Sequence, residues 1–551
     1  MAEKRYTDFH VRAPVGRYSG SERLDPTPLE EPESDTDYTR QMYLDDMPDD
    51  PDFQEEIGKI FQQKLEIVRN ASNIDPSILH IHAVGQSHID VAWKWRYEQT
   101  HKKGRVTFRN AVYHSRRFPD FRFALSQPQL LEWIRLEDSQ LFADIQETVA
   151  NGGIELVGGS WVEPDCMMPS GEAMCRTRLY GQKYYRDYFG KLACVEWYTD
   201  SFGYNWNLPQ IVAKSGGQYF YTSKITWNRQ TVFPFVNFWW ESPDGTRIIT
   251  CNFNMGLGVL DNWLKYEPGH HLLKPGVIYL GDYSRDYYDI EDYVADEEIV
   301  PALGYFNGRG DGGHGPTSLE VATMNEEIRQ GFAHWSTVKD FFDEVAQWQD
   351  RLPVWRDEQY LEYHRGTFTV HAEVKRHNRL YENALLSADI LSAILSVLAP
   401  NYVRPSALLE DMWKVLLCNQ FHDVLPGSSI PEVYDDVNDD WDAFDAALPW
   451  IYGEAEGAIP VPAGATLLLY NPAPVQRKGP VFIPHDMLPE LASEGDALKF
   501  ISLSSLGVKP GAYLGQPVDA EPEWWVARRG AGWWAVVDLE PMSVTPYTVT
   551  L

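Results

Sequence analysis

Between Leu79 and Thr222 short apolar runs alternate with helical stretches, a pattern that few folds accommodate. The runs are Leu79 to Val84, Phe121 to Leu125, Ile154 to Val157, Ala193 to Tyr198 and Tyr219 to Thr222. Helices are expected from Pro128 to Leu136, from Gly171 to Phe189 and from Asn207 onward. Such alternation implies a parallel sheet or barrel, where reactive groups gather at the ends of strands as loops begin. That rule points to His88, Asp165 and Asp200.

On either side the pattern changes. Residues 1 to 50, rich in Pro, Asp and Glu, read as a polar arm, and Asp52 to Arg69 carries apolar residues at helical spacing. Phe238 to Trp240 and Arg247 to Cys251 flank Pro243-Asp244-Gly245, a hairpin signal. Long helical segments follow from Asn378 to Tyr452: Ala384 to Leu398, Leu408 to Phe421 and a weaker one around Trp441. Beyond Ala465, Leu467 to Tyr470, Val481 to Ile483, Trp524 to Ala527, Trp533 to Val537 and Thr545 to Thr550 read as strands between Pro and Gly turns. The expected fold class is multidomain, α/β then α then β. It comprises an arm over 1–50, a catalytic α/β domain over 51–375, a helical bundle over 376–455 and a small β-sandwich over 456–551.

Charge narrows the partners. Against 48 Lys and Arg stand 80 Asp and Glu, and the resulting net charge of -32 repels phosphate backbones and anionic lipid, so no nucleic acid and no membrane partner is expected. The 20 Trp, 30 Tyr and 24 Phe supply flat faces that either stack on sugars or fill a core. The densest apolar patch, Ile390 to Ala399, is interrupted by Ser392 and Ser396, short of the ~18 residues that cross a bilayer. Five cysteines at irregular spacing, no Cys-x-x-Cys pair and no apolar leader after Met1 give the expectation of a soluble, cytoplasmic protein. Oligomeric state is left open, a homo-oligomer included.

Four polar clusters could carry chemistry. His88 and Asp90 follow a strand, and residues two apart on extended backbone face the same side, so both could reach one cation; ordinary hydrogen-bonded polar groups are the alternative. Asp200 stands where an apolar strand breaks into a turn, as a reactive carboxylate or as a cap for the helix from Asn207. His422 and Asp423 lie at a helix end, where a histidine charge is also favoured by the helix dipole. Asp311 sits in a run so rich in Gly that it must be a loop with unusual backbone angles; a plain turn is the ordinary reading, and a phosphate cradle is disfavoured because the run lacks the Gly-Lys-Ser/Thr ending and opens no βαβ unit.

At these residues the chain resembles glycoside hydrolase family 38, the retaining α-mannosidases. Four segments carry the likeness: His88-Ile-Asp90-Val-Ala-Trp93; Trp161-Val-Glu163-Pro-Asp165 through Pro169-Ser-Gly-Glu172; Asp200-Ser-Phe-Gly203 with Leu208-Pro-Gln-Ile211; and Asn419-Gln-Phe-His422-Asp423 with Leu425-Pro-Gly-Ser-Ser429. Thr222-Ser-Lys-Ile-Thr-Trp227-Asn228, Gly310-Asp311-Gly-Gly and Tyr363-His364-Arg365-Gly366-Thr367 support it. The resemblance implies a (β/α) barrel of seven strands, a helical bundle and β-sandwich domains. It implies a zinc ion held by His88, Asp90, Asp200 and His422, with cobalt as another divalent candidate, and His422 coming from the helical domain. It further implies Asp200 as nucleophile, Asp311 as acid/base, Trp93 and Phe202 as walls for the sugar and Asp423 as acceptor of its hydroxyls. The expected substrate is a mannose-containing oligosaccharide.

Some positions depart from the family pattern. Thr199 stands where Pro is common, Ala173 replaces a frequent Ser, and His314 interrupts the Gly run, where it would titrate near the acid/base. Members usually continue into a long β-sandwich region, so a chain ending at Leu551 is expected to be a fragment, a split gene product or a reduced form. Two other readings stay open at this point: a metal-dependent polysaccharide deacetylase-like hydrolase, and a truncated, non-catalytic carbohydrate-binding remnant.

Overall fold

A computed structural model of the chain describes residues 80–226, 228, 233, 235–252, 277–278, 288–289, 300, 302–308, 310–316, part of 321–331, 333–459, 467–484, 499–502, 527–529, 532–539 and 541–550. The expected arm over 1–50, the helix from Asp52 to Arg69, Trp227 and the start of the strand at Trp524 lie outside the described residues. The described residues fall into two compact units, one within Met1–Leu380 and Asp411–Trp441, the other within Tyr381–Glu410 and Asp442–Leu551.

The first unit is built from strands β1 (His80–Gln86), β2 (Phe123–Leu125), β3 (Ile154–Leu156), β4 (Val195–Trp197), β5 (Tyr219–Thr222), β6 (Asn237–Glu241) and β7 (Arg247–Asn252). A short pair β8 (Val277–Ile278) and β9 (Tyr288–Asp289) follows, then β10 (Ala302–Asn307), β11 (His334–Trp335) and β12 (Val354–Trp355). One sheet runs β10-β1-β2-β3, with β11 also on β1, and a second runs β12-β6-β7-β5-β4. Within the first sheet β10-β1-β2-β3 run parallel, within the second β4-β5-β7 do, and the two sheets touch where Gly158 N donates to Val195 O at 2.9 Å. Within each of these parallel sets the carboxyl ends open on one side. β6 and β7 form the expected antiparallel hairpin.

The helices between strands are α1 (Tyr97–Arg117), α2 (Pro128–Glu137), α3 (Ser139–Ala150), α4 (Gly171–Phe189), α5 (Leu208–Lys214) and α6 (Val338–Gln347). Local chemistry sets their ends: the Ser170 hydroxyl accepts from Ala173 N, and Gly190, at φ 65°, closes α4 in the left-handed conformation that a side chain disfavours. Aromatic rings fill the strand core, with Trp197 stacked on Tyr221 at 4.0 Å and edge-on to Phe306 at 5.2 Å, each pair contributing roughly 0.5–1.5 kcal/mol beyond area burial.

Helix α1 was not expected from the sequence. Its buried face mixes Phe108, Ala111 and Val112 with Thr100, His101, Lys103, Thr107, Asn110 and His114, so the apolar periodicity that announces a helix is diluted. Three long helices complete the described helical part: α7 (Ala372–Leu398), α8 (Ser406–Asn419) and α9 (Pro431–Ala458). α7 starts twelve residues before the expected Ala384, and an 18-residue window within its Ala372–Val397 stretch is long and apolar enough to cross a bilayer by length and composition. Within the second unit, though, Leu391 and Leu395 of that helix pack with Ala455 and Val544, and Asp389 pairs with Arg404. Two antiparallel sheets follow, β13 (Leu467–Asn471), β18 (Ser543–Thr550) and β15 (Lys499–Ser502) in one, β14 (Arg477–Pro484), β17 (Gly532–Leu539) and β16 (Ala527–Arg529) in the other. Among the described residues the architecture is mixed α/β, with parallel strands confined to the first unit.

Candidate metal centre

The loops leaving the carboxyl ends of β1, β4 and β10, together with the turn after α8, converge. His88 and Asp90 follow β1, Asp200 follows β4 and His422 follows α8, and one ligand atom from each lies within 4.8 Å of all the others. All four belong to the first unit. His88, Asp90 and His422 are buried, and Asp200 keeps about a fifth of its side chain open. His88 Nε2 and Asp90 Oδ1 are 2.9 Å apart, and the His88 and His422 rings stack at 5.3 Å. Asp200 does not cap the helix from Asn207; its Oδ1 accepts from Lys224 Nζ at 2.5 Å.

The state of His422 tests whether a cation fits. Its Nδ1 lies 2.9 Å from the Glu163 carbonyl oxygen, which only accepts, so Nδ1 carries a proton. Its buried Nε2 makes no hydrogen bond, although carboxylate oxygens of Asp90, Asp200 and Asp423 lie 3.4, 3.8 and 3.8 Å away. An imidazole lone pair aimed into a ring of carboxylates is a metal-ligand arrangement: two imidazoles and two carboxylates suit zinc and its neighbours in the first transition row. The carboxylates also make the pocket's field negative, which favours positive charge there, a proton or a cation. Burial disfavours a charged His88, yet the carboxylates of Glu163 and Asp90 outweigh it and raise the imidazole well above its usual range. For Asp90, burial is overcome by the charge of His88 and the contacts with His422 and His88, which hold it down at about 2.

Asp311 adjoins this cluster through its backbone, whose carbonyl accepts from Asp90 N at 2.8 Å. Its φ of 56° is left-handed, an uncommon conformation for Asp, and Gly313, His314 and Gly315 continue it. The carboxyl is pushed up to about 6, first by desolvation and then by the charges of Asp90 and Asp200. Because the residue is open to solvent at the surface, the repulsion is the better supported of the two causes. His314 is buried and held by its backbone, N to Thr107 Oγ1 at 2.6 Å and O to Asn110 Nδ2 at 2.8 Å.

The other expected residues surround the centre. Phe202 meets the His422 ring edge-on at 5.6 Å and the His364 ring at 4.5 Å. Asp423 is buried, bonded by Ser428, and raised to about 8 by burial and by the charge of Asp90. Trp93 is half-buried, with the Lys94 ammonium 4.0 Å from its ring centre, and its carbonyl accepts from Ile430 N at 2.9 Å. Asp165 stands outside the cluster, accepting from Met167 N and Met168 N as a turn former. Sequence reasoning assigned no role to Glu163 or Lys224, although both lie in segments that follow a strand, which was the available signal.

Comparison with known proteins places this geometry. The description "Glycosyl hydrolases family 38 N-terminal domain" matches residues 78–358, and "Alpha mannosidase middle domain" matches 362–454. The chain is 32% identical to alpha-mannosidase 2C1 of Homo sapiens over 75% of this chain and 41% of that protein. It is 33% identical to alpha-mannosidase G of Dictyostelium discoideum over 69% of this chain and 34% of that one. It therefore spans about two fifths or less of the length of these relatives. The crystal structure of an alpha-mannosidase from Enterococcus faecalis V583 shares the fold, with a TM-score of 0.61 at 17% identity over 86% of this chain and 56% of that one. With both of its domain descriptions matched in order and the four-residue cluster assembled between them, the chain belongs to glycoside hydrolase family 38.

Proposed function

We propose that the chain carries the catalytic machinery of a zinc-dependent retaining α-mannosidase that removes terminal α-mannose from oligosaccharides or glycoconjugates. The observation that supports this reading best is the meeting of His88, Asp90, Asp200 and His422, with the Asp423 carboxyl beside them and the Asp311 backbone bonded to Asp90 N. The names of the mannosidase relatives support the same substrate class. The parallel strands β10-β1-β2-β3 and β4-β5-β7 are read together as a (β/α) barrel, the helical segment around 376–455 as a bundle and the C-terminal strands as a small sandwich.

His88, Asp90, Asp200 and His422 would hold the ion, which when bound supplies a template and Lewis acid for neighbouring sugar hydroxyls. Asp200 attacks the anomeric carbon; Lys224 donates to Oδ1 and so fixes the carboxylate's orientation. Asp311 protonates the departing oxygen and then takes a proton from water, a double task suited to an acid near 6. Trp93 and Phe202 wall the sugar, and Asp423 accepts from its hydroxyls. The acidic charge and the five free thiols support a cytoplasmic protein without nucleic-acid or membrane partners.

Hydrolysis of an aryl α-mannoside tests this. Wild type should turn over, chelator should abolish turnover, Asp200→Asn should lower kcat by about 10³-fold or more and Asp311→Asn by about 10²- to 10⁴-fold. Wild-type rates from Asp200→Asn would overturn the proposal. A glycosyl adduct trapped on Asp200 separates it from deacetylase-like chemistry and from simple sugar binding.

A further inference from the structure

Glu163 touches or braces the support of every member of the cluster. It lies on the loop after β3 and is almost wholly buried, at 1% exposure. Its carboxylate oxygens lie 3.3 and 3.2 Å from His88 Nδ1, the ring nitrogen facing away from Asp90. Oε2 also accepts from Thr199 N at 3.3 Å and from Thr199 Oγ1 at 3.2 Å, one residue before Asp200. The Ser126 hydroxyl donates to Oε1 at 3.4 Å. Its main-chain carbonyl takes both His422 N, at 3.3 Å, and His422 Nδ1, at 2.9 Å. Its own N–H donates to Gln127 Oε1 at 3.1 Å, while Gln127 Nε2 donates to Ile89 O at 2.8 Å, between His88 and Asp90. Gln127 makes this bridge from a left-handed backbone, φ 64°, which a non-glycine residue adopts only when its surroundings hold it there.

We infer that Glu163 is the positioning residue of the metal centre, setting its affinity by fixing both imidazoles with Nε2 inward and holding the Asp200 strand end in register. The inference rests on the metal reading of His88, Asp90, Asp200 and His422. The physical reason is specific. A carboxylate against His88 Nδ1 and a carbonyl against His422 Nδ1 each place the proton on the outer nitrogen, which leaves the inner lone pair for a cation and makes it more basic. Asp200 needs no direct bond: fixing Thr199 by two bonds to a buried group limits where the next side chain can go. Thr199 supplies both donors, its N–H and its hydroxyl, to this one carboxylate oxygen.

Zinc titration of the metal-free protein against a competing chromophoric chelator, paired with the melting temperature of the metal-free form, tests this without recourse to turnover. Glu163→Gln keeps the shape and loses the charge; it should weaken zinc binding by about 10- to 100-fold while the metal-free melting temperature stays at the wild-type value. Gln127→Met, which frees the Glu163 N–H and Ile89 O without touching a ligand, should weaken zinc binding in the same direction. It carries the test should Glu163→Gln fail to fold. Zinc affinity within twofold of wild type in the folded variants would overturn the role of Glu163. So would an affinity loss matched by an equal loss of metal-free stability, since that is general damage. Wild type that takes up no zinc would overturn the metal reading itself, a result distinct from either.

Discussion

Lys224 buries its ammonium against Asp200 Oδ1 and 5.3 Å from the centre of the Phe202 ring, so one buried cation touches both the proposed nucleophile and the proposed sugar wall. Lys224→Met should therefore leave the fold intact and lower kcat/KM on an aryl mannoside by about 10- to 100-fold, the worth of a hydrogen bond to a charged group. An unchanged kcat/KM would remove Lys224 from the site. The cluster residues themselves were legible because each stands in a short polar segment directly after a strand or helix: His88 and Asp90 after β1, Asp200 after β4, His422 after α8. Glu163 and Lys224 were not. A glutamate or lysine in a loop is ordinary on a surface, and its meaning here comes from burial and from partners 75 and 24 positions away, which local pattern does not encode.

Helices bear on the site through what they bury. Arg178 of α4 and Glu196 of β4 form a fully buried ion pair, and Arg178 Nε also donates to Ser215 Oγ at 2.9 Å. Arg178→Met leaves Glu196 charged and alone, a loss of about 3–5 kcal/mol in urea unfolding, whereas adding Glu196→Gln should recover much of it. Helix α1 holds the loop bearing Asp311 with polar groups at helical spacing: Thr107, Asn110 and His114 bond His314 N, His314 O and Pro316 O. Burial, chiefly, drives the His114 imidazole down to about 4, below its unfolded value near 6.5. The unfolded chain thus binds the extra proton between these values, so the contribution of neutral His114 is complete above pH 6.5 and lost as pH falls through about 4. Urea unfolding of the metal-free protein should show wild type losing up to about 3 kcal/mol more than His114→Gln across that window. Parallel slopes would contradict it. The same polar face explains why α1 escaped the sequence reading, whereas α4, with its Ser cap and closing Gly, was legible to the residue.

For the whole molecule, the parallel strands were legible as alternation. The meeting of the two sheets through Gly158 was not, because one hydrogen bond between strand edges leaves no periodic trace. A net charge of -32 and a centre crowded with carboxylates would make a bound divalent cation stabilising. Zinc at a hundredfold excess over its Kd should add about 2.7 kcal/mol to stability, seen as a rise in melting temperature that chelator reverses and that is reduced in His422→Ala. The most direct measurement is anomalous scattering at the zinc edge from crystals of the zinc-loaded protein. The account predicts one strong peak enclosed by His88 Nε2, Asp90, Asp200 and His422 Nε2; no peak there, or zinc bound only elsewhere, would contradict it.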